Sequence, residues 1–300
     1  MKVVLFIMLA LFASGFAVTW ILAIRRARRE LEASSPNLAD IAIGFVTNFF
    51  DTLGIGSFAT TTSIFRFWNL VPDEEIPGTL ITGHTAPSLL EAFIYIALIA
   101  VDTKTLVLMI AAATIGAWLG AGVVSRWPRR KIQIGMGFAL LLAAILMTMG
   151  ALNWFPVSGA LLALSGPKLV IAAGFNMIFG ALMTIGVGIF APCMVLVSLL
   201  GMAPTASFPI MMGSCAFLMP VGSVQFIRAR RYNLKSALGL TLGGLPAVLM
   251  AAFIVRSLPL KAVGWLVVGV VVYTASMMLR SAAIEGRHRA ARVTTASLND

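Results

Sequence analysis

Charge is scarce in this sequence: 11% of its 300 residues are Asp, Glu, Lys or Arg, against about 25% in an ordinary soluble domain. Hydrophobic residues make up 60%, and the mean hydropathy is +0.98. No stretch has the mixed composition needed to fold in water, so a polytopic membrane protein is expected. Cysteine is scarcer still. Cys193 and Cys215 both lie inside apolar runs, which excludes a disulfide scaffold and gives no zinc-ligand spacing. A Walker-type Gly-x-x-x-x-Gly-Lys-Ser/Thr sequence is lacking, so ATP hydrolysis by this chain is not expected.

What charge there is has a pattern. Lys and Arg number 22 against 11 Asp and Glu, giving a pI near 10.7, a value that raises nucleic acid as a partner. The basic residues instead form short clusters between apolar runs, at Arg25 to Arg29, Arg126 to Lys131, Arg228 to Lys235 and Arg280 to Arg292. Cytoplasmic loops look like this under the positive-inside rule, so the lipid bilayer is the expected partner and nucleic acid is not. At the N-terminus only Lys2 precedes the apolar run 3 to 24, while Arg25, Arg26, Arg28 and Arg29 follow it. That order is the reverse of a secretory signal. An uncleaved first span is expected, with its N-terminus outside and residues 1–30 forming a unit of their own.

Runs free of ionisable residues recur at 105–125, 132–167, 169–227, 236–255 and 262–279. A span takes about 20 residues, so the 59 residues of 169–227 must pass at least twice, with the turn expected at Gly201-Met202-Ala203-Pro204. The two halves of the chain match at an offset of 132: Gly54, Gly56, Phe58, Ala59, Pro72 and Pro77 fall on Gly186, Gly188, Phe190, Ala191, Pro204 and Pro209. Such self-similarity marks an internal repeat. Two transmembrane units, 38–150 and 168–282, and a polar tail at 283–300 follow.

Parity decides how each unit begins. If residues 39–65 and 169–200 each cross once, 14 basic residues lie inside and 8 outside; if each is a broken helix pair returning to its starting side, the counts are 17 and 5. The positive-inside rule prefers the second arrangement. Each unit then crosses an odd number of times, and the copies are inverted. The expected fold is therefore all-α, with two inverted repeats of transmembrane helices, each with a glycine-broken pair, plus the extra N-terminal span. Repeats of this kind are a recurrent transporter design.

Glycine marks the breaks. Leu53-Gly54-Ile55-Gly56-Ser57 and Ile185-Gly186-Val187-Gly188 put two glycines mid-segment, where each costs about 1 kcal/mol relative to Ala in a helix. Irregular backbone at membrane depth survives only when buried in protein or lining a wet cavity. A half-helix starting after each break aims free N–H groups and partial positive charge at its occupant, so an anion site is expected there. Thr52, Gly54, Gly56, Ser57 and Thr60 from the first copy, and Thr184, Gly186, Gly188 and Cys193 from the second, are its candidate residues. Asp51 lies one turn before the first break and is either a proton-coupling carboxylate or a cap of the following half-helix. His84 and Glu91, seven residues apart on one helical face, are the other proton-coupling candidates. Each has a plainer use, His84 in packing and Glu91 at the far interface beside Asp102 and Lys104.

The motifs Gly44-Phe45 with Gly54-Ile55-Gly56, Gly174-Phe175 with Gly180 and Gly186-Val187-Gly188, and Pro128 and Pro259 before closing helices resemble the TauE/SafE family of sulfite and organosulfonate transporters. The resemblance covers about 240 residues. It implies a duplicated helical transporter of small anions, often sulfur oxyanions, in the cytoplasmic (inner) membrane of bacteria. Where the family's breaks commonly run on to a third glycine, this chain has Ser57 and Ile189.

The expected function is secondary transport of a small anion by export or ion-coupled permeation, with no cofactor, no resident metal and no enzymatic step. A homo-oligomer and a coupling proton or ion stay open, and the C-terminus is expected in the cytoplasm. Two alternatives remain: a cation or metal permease resting on Asp51, His84 and Glu91, and a thiol-redox membrane protein using Cys193 and Cys215. The redox reading calls for cysteines placed equivalently in both copies, and both fall in the second.

Overall fold

The computed structural model describes residues 2–27, 35–53, 56–152, 154, 159–186, 188–254, 272, 275–276, 279–280 and 283–284. Gly54, Ile55, Val187, Pro259, the expected closing span at 262–279 save for scattered residues, and the tail past 284 lie outside the described residues. Among the described residues ten α-helices run in order: α1 Lys2–Ala27, α2 Leu38–Thr52, α3 Ser57–Phe67, α4 Ile76–Leu98, α5 Thr103–Val124, α6 Arg129–Ala151, α7 Gly166–Met183, α8 Phe190–Leu199, α9 Ser207–Arg228 and α10 Leu234–Ile254. No strand occurs among the described residues.

Five of these helices, α1, α5, α7, α9 and α10, are long and apolar enough to cross a membrane. The halves flanking the first break are shorter. With 15 residues in α2 and 11 in α3, at 1.5 Å per residue they reach about 22 and 16 Å, against a hydrocarbon core of about 30 Å. The 10 residues of α8 reach about 15 Å. The 23-residue α4 has the length of a span but carries His84 and Glu91, both fully buried.

The helices pack crosswise. α2 lies on α10, α5 on α7 and α4 on α9, so the first helix of each half rests on a later helix of the other. Small residues permit the close approach. A Cβ on Gly243 would collide with the Ile41 carbonyl across the α2–α10 seam, and one on Gly116 with the Met177 carbonyl across α5–α7.

Loop contacts sort the connections into two groups. In one, the Leu161 N–H donates to the Gly201 carbonyl at 3.3 Å, the Ala203 N–H to the Leu161 carbonyl at 2.9 Å, and the Asp102 N–H to the Leu162 carbonyl at 2.9 Å. Asp102 also caps α5, accepting from the Thr105 N–H and hydroxyl, each at 2.9 Å, and these bonds hold its carboxyl below the ordinary value. In the other group, Asp73 before α4 pairs with Arg66 at 2.9 Å and accepts from the Gln133 amide of α6 at 2.8 Å. There too the Asn233 N–H before α10 donates to the Thr79 hydroxyl at 2.8 Å. The loop holding Asp73 thus sits with the basic connections near 130 and 230, and the 159–164 segment sits with the turn at Gly201.

Candidate functional site between the two helix breaks

Both breaks are built on a glycine with positive φ, Gly56 at 89° and Gly186 at 98°, a region that side-chain-bearing residues rarely adopt. The helices cannot run through these points, and the sequence stops them there. At the first break, Asp51 reaches across to the start of α3. Its Oδ1 accepts from the Ser57 N–H at 3.0 Å and its Oδ2 from the Ser57 hydroxyl at 2.7 Å. The carboxylate therefore caps α3 and occupies an N–H that an incoming anion would otherwise use.

Thr52, the next residue, ties the break to α4. Its hydroxyl lies 2.7 Å from Glu91 Oε1 and 2.9 Å from the Asn48 carbonyl. The Tyr95 hydroxyl donates to the Thr52 carbonyl. Glu91 is fully buried, and its Oε2 has no hydrogen-bond partner among the described residues. Of the two placements open for Glu91, the structure puts its Oε1 at the break, on the Thr52 hydroxyl.

His84, on α4, links α2 and α3. Its Nδ1 lies 2.9 Å from Asn48 Oδ1, and its Nε2 lies 3.1 Å from the Thr61 hydroxyl. Because the Asn48 amide nitrogen donates to the Gly44 carbonyl at 2.7 Å, its oxygen faces the ring. Nδ1 then carries the proton, and Nε2 accepts from Thr61. Thr60 bonds back to the Gly56 and Ser57 carbonyls at 3.1 and 2.7 Å, so its hydroxyl is spent on its own helix.

The second break is less polar. The Thr184 hydroxyl donates to the Ala181 carbonyl at 2.7 Å, and no side chain caps α8 at Ile189. Its first backbone N–H groups are therefore the ones left for another acceptor. Cys193 and Cys215 are free and buried, with Cys215 Sγ 3.9 Å from Met183 Sδ. Asn176 does for this half what Asn48 does for the first, donating to the Met109 carbonyl at 2.8 Å and the Ser214 hydroxyl at 3.1 Å.

The breaks face each other. A Cβ on Gly186 would stand 3.6 Å from the Thr62 hydroxyl of α3. A cavity of about 20 Å³ lies between them, walled by Asp51, Gly56 and Ser57 on one side and by Gly188, Ile189 and Phe190 on the other, with Met183, Met211 and Cys215 nearby. Among the described residues Asp51 is the one acidic or basic side chain on this wall. Residues 1–147 match the family model of the sulfite exporter TauE/SafE. The match spans just under half of the chain, and over it the chain is similar to the TauE/SafE family. TauE/SafE proteins are membrane transporters, in keeping with the five membrane-length helices. No curated protein and no solved structure matches the chain.

The TauE/SafE match contains Asp51, Thr52, Gly56, Ser57, Thr60, His84 and Glu91, whereas Thr184, Gly186, Gly188 and Cys193 lie beyond it. Of the candidate residues, the cavity wall unites Asp51, Gly56, Ser57 and Gly188. Thr52 and Glu91 stand behind Asp51, and Thr60 and Thr184 bond to their own backbone. Sequence reasoning did not single out Tyr95 or Ser88. Ser88 lines the cavity, and its position one turn after His84 and one before Glu91 is the signal that marks it.

Proposed function

We propose that this chain is a secondary transporter of a small anion, a sulfur oxyanion such as sulfite or a small organosulfonate, by export or ion-coupled permeation across the inner membrane. The observation that carries the reading is the cavity shared by both helix breaks. It adjoins an α8 N-terminus with no side-chain cap, in a chain whose first half matches TauE/SafE. Free N–H groups and the helix dipole favour a negative ligand there. Because Asp51 already caps α3, the proposed site is one-sided: α8 supplies the donors, and Asp51 and Glu91 supply carboxylates for a coupling proton.

A cavity of about 20 Å³ holds roughly one water and no multi-atom oxyanion. Loading the site therefore requires α3 and α8 to part, as in alternating access between repeats. The constant offset between halves, the crosswise packing and the sorting of loops support two inverted copies with broken pairs, a cytoplasmic Asp73 loop and a cytoplasmic C-terminus. A cation permease is the competing reading, favoured by the single carboxylate on the wall.

Purified protein in proteoliposomes, offered sulfite, sulfonates, carboxylates and divalent cations in binding and counterflow assays, separates the two. Saturable response to sulfite or a sulfonate is expected. Response to a cation with every anion silent would overturn the anion site.

A further inference from the structure

A cavity of about 880 Å³ lies away from the helix breaks, between the end of α1, the end of α9 and the start of α10. Its wall has two characters. Leu22, Ala23, Val224 and Ile227 form an apolar side along the helices, and Arg26, Arg228, Arg230 and Lys235 gather at the helix ends. Glu75 also lines the cleft, hydrogen-bonded to Asn233 with Arg231 near it, and Lys235 lies near Asp40. Arg26, Arg228 and Arg230 remain. All three are exposed, and none is in an ion pair among the described residues.

An inorganic anion needs neither so large a space nor an apolar wall. We infer that this cleft binds an anionic phospholipid, its phosphate held by Arg26, Arg228 and Arg230 and its acyl chains laid along Leu22, Ala23, Val224 and Ile227. The position agrees with the chemistry. The cleft lies at the ends of membrane-length helices, beside the basic connections that face the anionic cytoplasmic leaflet. α1 forms one wall, so the extra N-terminal helix would be fastened to the bundle in part through lipid.

The test uses the full chain reconstituted in nanodiscs of phosphatidylcholine with phosphatidylglycerol, followed by native mass spectrometry of retained lipid. Wild type should retain phosphatidylglycerol selectively. Each basic residue near an anionic headgroup is worth about fivefold in occupancy, so Arg26→Gln with Arg228→Gln should lower retention about 25-fold. Ala23→Trp, which fills the apolar side without touching charge, should also displace the lipid. Millimolar inorganic phosphate should not. Equal retention of the two lipids by wild type, or unchanged retention in the double variant, would overturn the proposal. Displacement by phosphate with Ala23→Trp silent would replace it with a soluble-anion site.

Discussion

Replacing Asp51 separates its two proposed duties. Its carboxylate accepts one backbone and one hydroxyl hydrogen bond from Ser57 across the first break. Asn caps a helix about as well as Asp, so Asp51→Asn keeps an acceptor for the Ser57 N–H. What it loses is the charge assistance on the hydroxyl bond, about 1 kcal/mol, the difference between charged and neutral hydrogen bonds. Asp51→Ala removes the cap, about 0.5–2 kcal/mol, and strands a buried hydroxyl, about 1–3 kcal/mol, for a total of roughly 1.5–5 kcal/mol. At about 2 °C per kcal/mol for a chain of this size, Asn should lower the melting temperature in detergent by about 2 °C, and Ala by about 3–10 °C. In proteoliposomes, Asp51→Asn should abolish uptake driven by a pH gradient while leaving substrate exchange measurable. If Asn and Ala melt like wild type, the cap contributes nothing and the geometric reasoning is wrong. If Asn melts normally and gradient-driven uptake persists, Asp51 is a cap and carries no coupling proton.

The two glycines of the second break should respond differently. Gly186→Ala forces a side chain to φ 98° and should cost about 1–3 kcal/mol. Gly188 has an ordinary φ and nothing within 4 Å of its Cβ position, so Gly188→Ala should leave the melting temperature nearly unchanged while weakening sulfite binding. The opposite ranking would place the backbone constraint at the wrong residue. Across the α2–α10 seam, Gly243→Leu should separate the helices and cost about 3 kcal/mol or more. Gly122→Leu, with open space at its Cβ, serves as the control; equal melting of the two would refute the close-packed seam. Topology can be read by cysteine labelling at Pro72→Cys, an exposed site in the Asp73 loop, against buried native cysteines. An impermeant maleimide should reach it only after the membrane is opened, and labelling from outside would mean that the first element crosses once.

The helices, the breaks and the turn at Gly201 were legible because each has a local cause. Apolar runs of span length need no partner to be recognised, and glycine pairs disfavour helix wherever they stand. The turn has Gly201 at φ 89° followed by a short 3-10 helix at Pro204–Ala206, as Gly-Met-Ala-Pro suggests. The matching residues of the two halves are read in the same way, since identities at a fixed offset require no coordinates.

Tertiary structure alone decided what the polar side chains do. Asp51 faces a seam between two half-helices, and whether it caps or stays free depends on where Ser57 is brought. Asn48 reads as helix packing until His84 is found 2.9 Å away, and Glu91 reads equally well at either end of its helix until Thr52 meets it. Asp51 takes the Ser57 N–H at the start of α3, whereas no side chain caps α8 at Ile189. The two breaks share glycine but carry different side chains, Ser57 after Gly56 and Ile189 after Gly188. Hydropathy and glycine thus determined the architecture through terms that act within one segment. Long-range hydrogen bonds, each dependent on which helices pack together, decided the site.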